Sequence, residues 1–239
     1  MSLQSFGSTI RRRFLESEAL RGFSLLSPTL LAMVFGLAMP LLILFTLSFW
    51  LQDYVDFIKT FSWKNYSDFF AKPIYGMILI KSIKISGVVT LATVLLAYPM
   101  AYFIAFRVQK NKLVWLILIT VPFWTSYLLR VFAWKVMLGY NGVVNSGLKS
   151  IGLISEPLEF LLYNPFAVTI TLAHAWAAFA ILPIYVSLEK IDRSLLEAAR
   201  DLGENAFMSF VRVTLPLSMP GVIAASLLVF IPTVGDYVR

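Results

Sequence analysis

Long apolar runs, broken by short basic or aromatic stretches, dominate this chain. A helix crossing a hydrocarbon layer of about 30 Å needs about 20 largely apolar residues. Five stretches reach that length, at residues 23–50, 74–106, 113–138, 165–188 and 220–238. The first contains Pro28 and Pro40 and is expected to kink. The second is long enough to begin with an interfacial turn around Lys81 and Lys84, and Arg107, Lys110 and Lys112 close it. Between Gly139 and Asn164, glycines and asparagines flank Val143, Val144, Leu148, Ile151 and Leu153, which predicts a short helix against the membrane. The expected fold is an all-α membrane domain over residues 23–239, preceded by a polar segment at 1–22.

Basic residues orient the spans, because loops rich in Lys and Arg are retained in the cytoplasm. With the N-terminus inside, Arg11, Arg12, Arg13, Arg21, Arg107, Lys110, Lys112, Lys190, Arg193, Arg200 and Arg212 lie inside. Lys59, Lys64, Lys72 and Lys149 then lie in outer loops. The N-terminus is therefore expected in the cytoplasm. Although Arg21 precedes an apolar run, that run is too long for a cleaved leader and lacks a small-residue cleavage site, so it reads as a retained span. Trp50, Tyr54, Trp63, Tyr66 and Tyr75 gather around the first outer loop, where amphipathic rings favour the headgroup level.

Composition agrees with this picture: 59% of residues are hydrophobic and 14% charged, too few charges to cover a water-soluble surface. The net charge of +7 raises nucleic-acid binding as an alternative, but the basic residues sit at the ends of apolar segments and not on one soluble face. The absence of cysteine excludes disulfides, thiolate metal sites and cysteine nucleophiles, and a single histidine cannot build a multi-histidine site. No phosphate loop of the form G-x-x-x-x-G-K-[ST] occurs, so ATP hydrolysis by this chain is not expected. No H-E-x-x-H, G-x-S-x-G or paired-carboxylate arrangement supports an intramembrane enzyme. An ion-coupled carrier would ordinarily show intramembrane acids and an inverted repeat, and neither is visible.

The only sizeable polar segment inside runs from Leu188 to Gly221 and reads as helix, turn, helix. Leu195, Leu196, Ala199 and Leu202 can form an apolar face, Asp192 or Ser194 can cap the start, and Gly203 can end the helix in the left-handed conformation. Ala206, Phe207, Phe210 and Val213 mark a second amphipathic piece that Pro216 is expected to stop. The small residues Ala198 and Ala199 would let another protein approach the backbone, with Glu197, Arg200, Asp201 and Glu204 as charged handles. Periodicity alone favours an interfacial hairpin with no partner.

More specific is the order Glu197-Ala198-Ala199, three residues, Gly203, nine residues, then Val213-Thr214-Leu215-Pro216. This resembles the EAA loop of ABC importer permeases, the binding-protein-dependent transport family, with Val213 where Ile is usual. VPFWTSYLLR at 121–130, NGVVNSGL at 141–148, LPIYVSLEKID at 182–192 and VFIPTVGDYV at 229–238 resemble the spermidine/putrescine permease subgroup. Relatives handling iron, thiamine, phosphonates or opines share much of the scaffold. The resemblance implies a type I importer transmembrane domain, here with five predicted spans and the family's sixth span absent. It also implies a coupling loop at 189–219 that docks on a cytoplasmic ATPase dimer, with Glu197, Ala198, Ala199 and Gly203 at the contact. Leu215 and Pro216 would shape the return to the membrane. The implied partners are those ATPases, which bind ATP and Mg, a second permease that is a related heteromeric subunit, and an external substrate-binding protein.

For the substrate path, polar groups at membrane depth are the candidates. Asp236 follows Pro232 and Gly235 near the outer end of the fifth span, where a carboxylate could attract an ammonium group and Tyr237 or Trp124 could offer a cation–π face. An interfacial acid reaching to water fits the same position. Thr125, Ser126 and Tyr127 could line the path or bond helix to helix. Arg130 and Lys135 would repel a cationic cargo and are expected to gate or pack. His174 reads as an interhelical hydrogen bonder, and Trp176 and Phe179 as packing residues.

Overall fold

In a computed structural model the described residues are 18–53, 56–158, 161 and 164–236, and they form two compact units, residues 1–76 and 77–239. The sequence candidates Arg11, Arg12, Arg13, Tyr54 and Tyr237 lie outside the described residues.

In the first unit, helix α1 (Glu18–Ser48) runs without interruption through Pro28 and Pro40. No residue of its apolar stretch Gly22–Ser48 is buried within the protein, as suits a helix whose solvent is lipid. The C-terminal carbonyls of a helix have no intrahelical donors. Here the Asn65 side-chain amide donates to the Ser48 and Trp50 carbonyls at 2.9 and 2.8 Å. A short antiparallel hairpin, β1 (Leu51–Asp53) and β2 (Asp56–Ile58), and helix α2 (Lys64–Ala71) follow. Phe49 packs against Phe61, Trp63 and Tyr66, with ring centroids 4.8, 5.2 and 5.5 Å away. Trp63 and Tyr66 thus build a local aromatic cluster, and Lys59 sits over the Trp50 ring.

The second unit packs around α3 (Pro73–Tyr102), α7 (Pro165–Glu189) and α10 (Leu215–Val234). Helix α3 is continuous past Lys81 and Lys84, which are exposed on it, so the expected interfacial turn is absent. Its buried side is a row of mostly small residues, Ser82, Ser86, Val89, Thr93, Ala97 and Ala101. Helices in lipid gain little from burying apolar surface against one another, so close backbone approach through small residues drives their packing. Several hydroxyls in these helices bond within their own helix: Thr93 donates to the Val89 carbonyl at 2.6 Å and Ser226 to that of Val222 at 2.8 Å. Tyr98 and Ser218 join two helices through their hydroxyls, 2.8 Å apart.

The tightest contact in this core is at Gly221. A Cβ there would lie 2.5 Å from the Ser187 Cβ and 2.6 Å from the Pro183 carbonyl oxygen, both backbone-anchored. Gly221→Leu is therefore expected to separate α10 from α7 and destabilise the fold by about 1–3 kcal/mol, the usual cost of overpacking. A clear drop in the thermal midpoint of the detergent-solubilised protein checks this, and an unchanged midpoint would show that the two helices are not held this closely.

The third and fifth spans depart from expectation. The stretch 113–138 does not form one straight helix: α4 (Lys112–Thr120) passes into a 3₁₀ turn at Val121–Trp124, and α5 (Tyr127–Leu138) begins a new direction. The stretches Lys112–Trp124 and Tyr127–Ser150 meet at 84°. Pro122 cannot donate to the helical ladder, and Thr125 and Ser126 are extended. The Thr125 hydroxyl donates to the Pro122 carbonyl at 2.6 Å. At the other end of the chain, Pro216 does not stop the second amphipathic piece. Helix α9 (Ala206–Ser209) continues through a π turn (Phe210–Thr214) into α10, giving one apolar helix from Ala206 to Val234. The π turn loosens the ladder just where Pro216, in the first turn of α10, has no N–H to contribute.

Helix α6 (Val143–Ser150) fills the loop where a short helix was expected. Asn145 is buried and staples that loop: its amide donates to the Gly139 carbonyl at 3.1 Å and its carbonyl accepts from the Leu158 N–H at 2.9 Å.

Candidate functional site

Helix α8 (Arg193–Asp201) forms the first half of the polar segment. Of the two candidate caps it is Asp192 that works: its carboxylate accepts from the Ser194 N–H at 3.0 Å. Bonds from Ser194 hold this carboxyl below its ordinary range. That stabilisation is complete above the ordinary carboxylate pKa and is lost as pH falls through the lowered one. At the other end the Glu204 N–H reaches back to the Ala199 carbonyl at 3.1 Å and the Gly203 N–H to that of Arg200 at 2.9 Å. With Gly203 at φ +85°, this is a Schellman stop, where only glycine avoids backbone strain. Asn205 caps α9 by accepting from the Met208 N–H at 2.8 Å, and Glu204 pairs with Arg212 at 2.6 Å across the turn.

The expected apolar face splits. Ala199 is 7% exposed and faces the protein, whereas Leu195 and Leu202 project outward, the latter 85% exposed. Glu197, Ala198 and Gly203 are also exposed, as is Phe207, so the segment presents an unpartnered knob of small and apolar residues. Leu215 is partly buried and Pro216 exposed in the first turn of α10.

Four segments meet behind this knob in a contact that the sequence reading missed. Lys112, at the start of α4, pairs with Glu189, at the end of α7, at 2.7 Å, and donates to the Ala105 carbonyl at 3.0 Å. Arg193, the first residue of α8, donates to the same carbonyl at 3.5 Å. Ala105 lies in the π turn Phe103–Arg107 that ends the second span, where carbonyls lack helical donors. Lys112 and Glu189 stand 77 positions apart, so no local pattern signals the pair.

A cavity of about 370 Å³ opens between α5, α7 and the end of α10, lined by Phe123, Tyr127, Arg130, Trp176, Phe179 and Asp236 among others. The Tyr127 hydroxyl donates to the Asp236 carboxylate. Arg130 lies 4.6 Å from the Phe123 ring and donates to the Ala175 carbonyl at 3.2 Å, which holds its charge against the wall. Phe179 packs on Phe123 and Trp176 at 4.7 and 5.4 Å. Of the path candidates, Tyr127 and Asp236 come together here. Thr125 and Ser126 sit in the bend outside the lining, and Trp124, expected to flank the acid, is 81% exposed and is also outside it. Trp176 and Phe179, expected only to pack, supply the aromatic wall instead. His174 accepts from the Trp134 indole N–H at 3.2 Å, the interhelical role expected of it.

A larger groove of about 610 Å³ between α7, α8 and α10 is mostly apolar, and its one carboxylate, Asp192, is engaged as a cap. The smaller cavity is therefore the better match to a charged solute.

Comparison with known proteins places the chain among membrane transport components. The family model described as the binding-protein-dependent transport system inner membrane component matches residues 88–238. The chain is 39% identical over 206 residues to the spermidine/putrescine transport system permease protein PotB of Haemophilus influenzae, covering 86% of this chain and 71% of that one. Identity to PotB of Escherichia coli K12 is 38% over 198 residues, covering 82% and 71%. It is also 33% identical over 174 residues to the inner membrane ABC transporter permease protein YdcU of Escherichia coli K12, covering 67% and 55%. Among solved structures, a bacterial ABC transporter involved in the import of the acidic polysaccharide alginate superposes with a TM-score of 0.62 at 19% identity, covering 95% of this chain and 77% of that one. At that identity the likeness speaks for the fold.

Proposed function

Because the chain belongs to the family of inner-membrane components of binding-protein-dependent transport systems, we propose that its cargo is spermidine, putrescine or a similar small organic polycation. We further infer that the α8 knob is where a separate ATPase couples to it. The observation that carries the cargo reading is the Asp236 carboxylate held by Tyr127 in a cavity walled by Phe123, Trp176 and Phe179. A carboxylate attracts an ammonium group, aromatic faces add cation–π attraction, and methylene segments fit an apolar wall. Similarity to PotB proteins supports the same cargo.

The chain carries no phosphate loop, so ATP and Mg belong to the partner ATPase subunits. ATP binding would close those subunits around the exposed Glu197, Ala198 and Gly203. Motion would pass through Arg193, Ala105, Lys112 and Glu189 to the second, third and fourth spans. A related second permease would supply the other half of the path, and an external binding protein would deliver the cargo. Cells lacking other polyamine uptake, given the full set of subunits, should accumulate labelled spermidine and not a neutral solute of similar length. Uptake restricted to an anion or a metal chelate would remove the cargo assignment and leave the permease assignment standing.

Lys and Arg placement supports a cytoplasmic N-terminus. Lys110 is exposed and the chain has no cysteine, so Lys110→Cys gives a single reporter. A membrane-impermeant thiol reagent should leave it unlabelled in intact cells and label it after permeabilisation. Labelling in intact cells would invert the topology.

A further inference from the structure

A second cavity, of about 270 Å³, lies between α8 and the end of the second span, and Arg107, Arg193 and Arg200 all line it. Glu197 is the one acid in the lining, and among the described residues none of these arginines has a carboxylate within ion-pairing distance. Arg193 donates to the Ala105 carbonyl, which does not neutralise it. Three guanidinium groups around one small space repel one another unless an anion joins them. Guanidinium forks match the oxygens of a phosphate better than any other common anion except a carboxylate.

The surroundings favour a lipid. Arg107 is the last residue of the span Pro73–Arg107, at the level where a helix leaves the hydrocarbon for the headgroups. Leu96, Met100 and Phe103 precede it at helical spacing on one face, and all three are exposed, so an apolar track leads from the hydrocarbon to Arg107, which lines the cationic cavity beside Tyr102 and Phe106. A carboxylate from another protein would need the arginines but not the track. An acyl chain needs the track, and its phosphodiester needs the arginines.

We propose that this cavity binds the phosphodiester headgroup of an anionic phospholipid, wedged between the coupling helix and the second span. Its assignment to the cytoplasmic leaflet rests on the orientation proposed above. Lipid binding itself does not depend on orientation or on ATP coupling, so its test stands apart from both.

The full-length chain in detergent is titrated with phosphatidylglycerol or with phosphatidylcholine of the same acyl chains, and bound lipid is counted by native mass spectrometry. One phosphatidylglycerol should bind at least about fivefold more tightly than phosphatidylcholine, the attraction that a single basic group supplies at a membrane surface. Arg107→Gln with Arg200→Gln should abolish the preference, and Arg107→Lys should keep most of it. Thermal midpoints establish that each variant is folded, and the single Arg107→Gln variant carries the test if the double variant is not. Equal binding of both lipids, or an unchanged preference in the glutamine variants, would overturn the proposal. Displacement of the lipid by inorganic phosphate at equal concentration would show that the acyl track contributes nothing and would overturn it too. So would loss of a bound ATPase from the Arg107→Gln complex with lipid preference intact, since the counter-charge would then be a protein carboxylate.

Discussion

Ala198→Glu is expected to abolish most ATP-driven uptake, by about tenfold or more, and to leave the permease folded. Ala198 is exposed on α8, so the longer side chain meets no neighbour within the chain, and glutamate is a good helix former. Only a protein seated on that surface can register the change. A bulky charge forced into such a contact costs several kcal/mol through clash and an unpaired buried charge. The measurement is co-purification of the ATPase subunits together with cargo-stimulated ATP hydrolysis; both should fall, and a complex that keeps both would remove α8 from the interface. Ala199→Glu is not an equivalent test. Ala199 is buried in the chain itself, and its substitution would disturb the fold directly. Gly203→Val tests the same surface through its shape, because the left-handed φ of +85° costs a side-chain-bearing residue about 1–2 kcal/mol and the turn must shift.

Asp236→Asn is expected to raise the spermidine concentration needed for half-maximal uptake by about tenfold. The substitution keeps shape and removes charge. An ammonium about 4 Å from a carboxylate gains about 4 kcal/mol at an effective dielectric of 20, of which desolvation of both ions cancels a large part. Tenfold, about 1.4 kcal/mol, is the surplus expected in a cavity still open to water. Tyr127→Phe removes only the hydrogen bond that orients the acid, so its effect should be smaller, about two- to fivefold. Uptake kinetics with spermidine, putrescine and a neutral solute separate these effects. Unchanged spermidine kinetics in Asp236→Asn would take the residue out of the path.

Where the sequence carried the answer, local chemistry was decisive. The stop at Gly203 follows from a glycine after an amphipathic turn, and α7 begins at Asn164-Pro165 because a capping side chain and a proline at the first helical position favour a start there. Length and apolarity sufficed for α1, α3 and α7. The failures concern proline. Pro122 and Pro216 are both in apolar helical stretches, yet one bends its span by 84° and the other is absorbed. The difference lies in the neighbours: Thr125 and Ser126 turn extended after Pro122, whereas a π turn precedes Pro216. Whether a ladder reopens or adjusts depends on tertiary packing, which a single sequence does not display. In the cavity, Asp236 and Tyr127 stood out as polar groups at depth, while Trp176 and Phe179 looked like ordinary packing residues. Their place beside the acid depends on the bend in the third span. The row Ser82, Ser86, Thr93, Ala97, Ala101 becomes one packing face only because the helix runs unbroken past Lys81 and Lys84.

Proteoliposomes holding the chain with its partner permease, ATPase and binding protein test the central claim most directly. Labelled spermidine should cross the bilayer when ATP and Mg are supplied to the ATPase side and binding protein to the other, and it should not when ATP is replaced by a non-hydrolysable analogue. Accumulation without ATP, driven by a proton or sodium gradient across the same vesicles, would contradict the account.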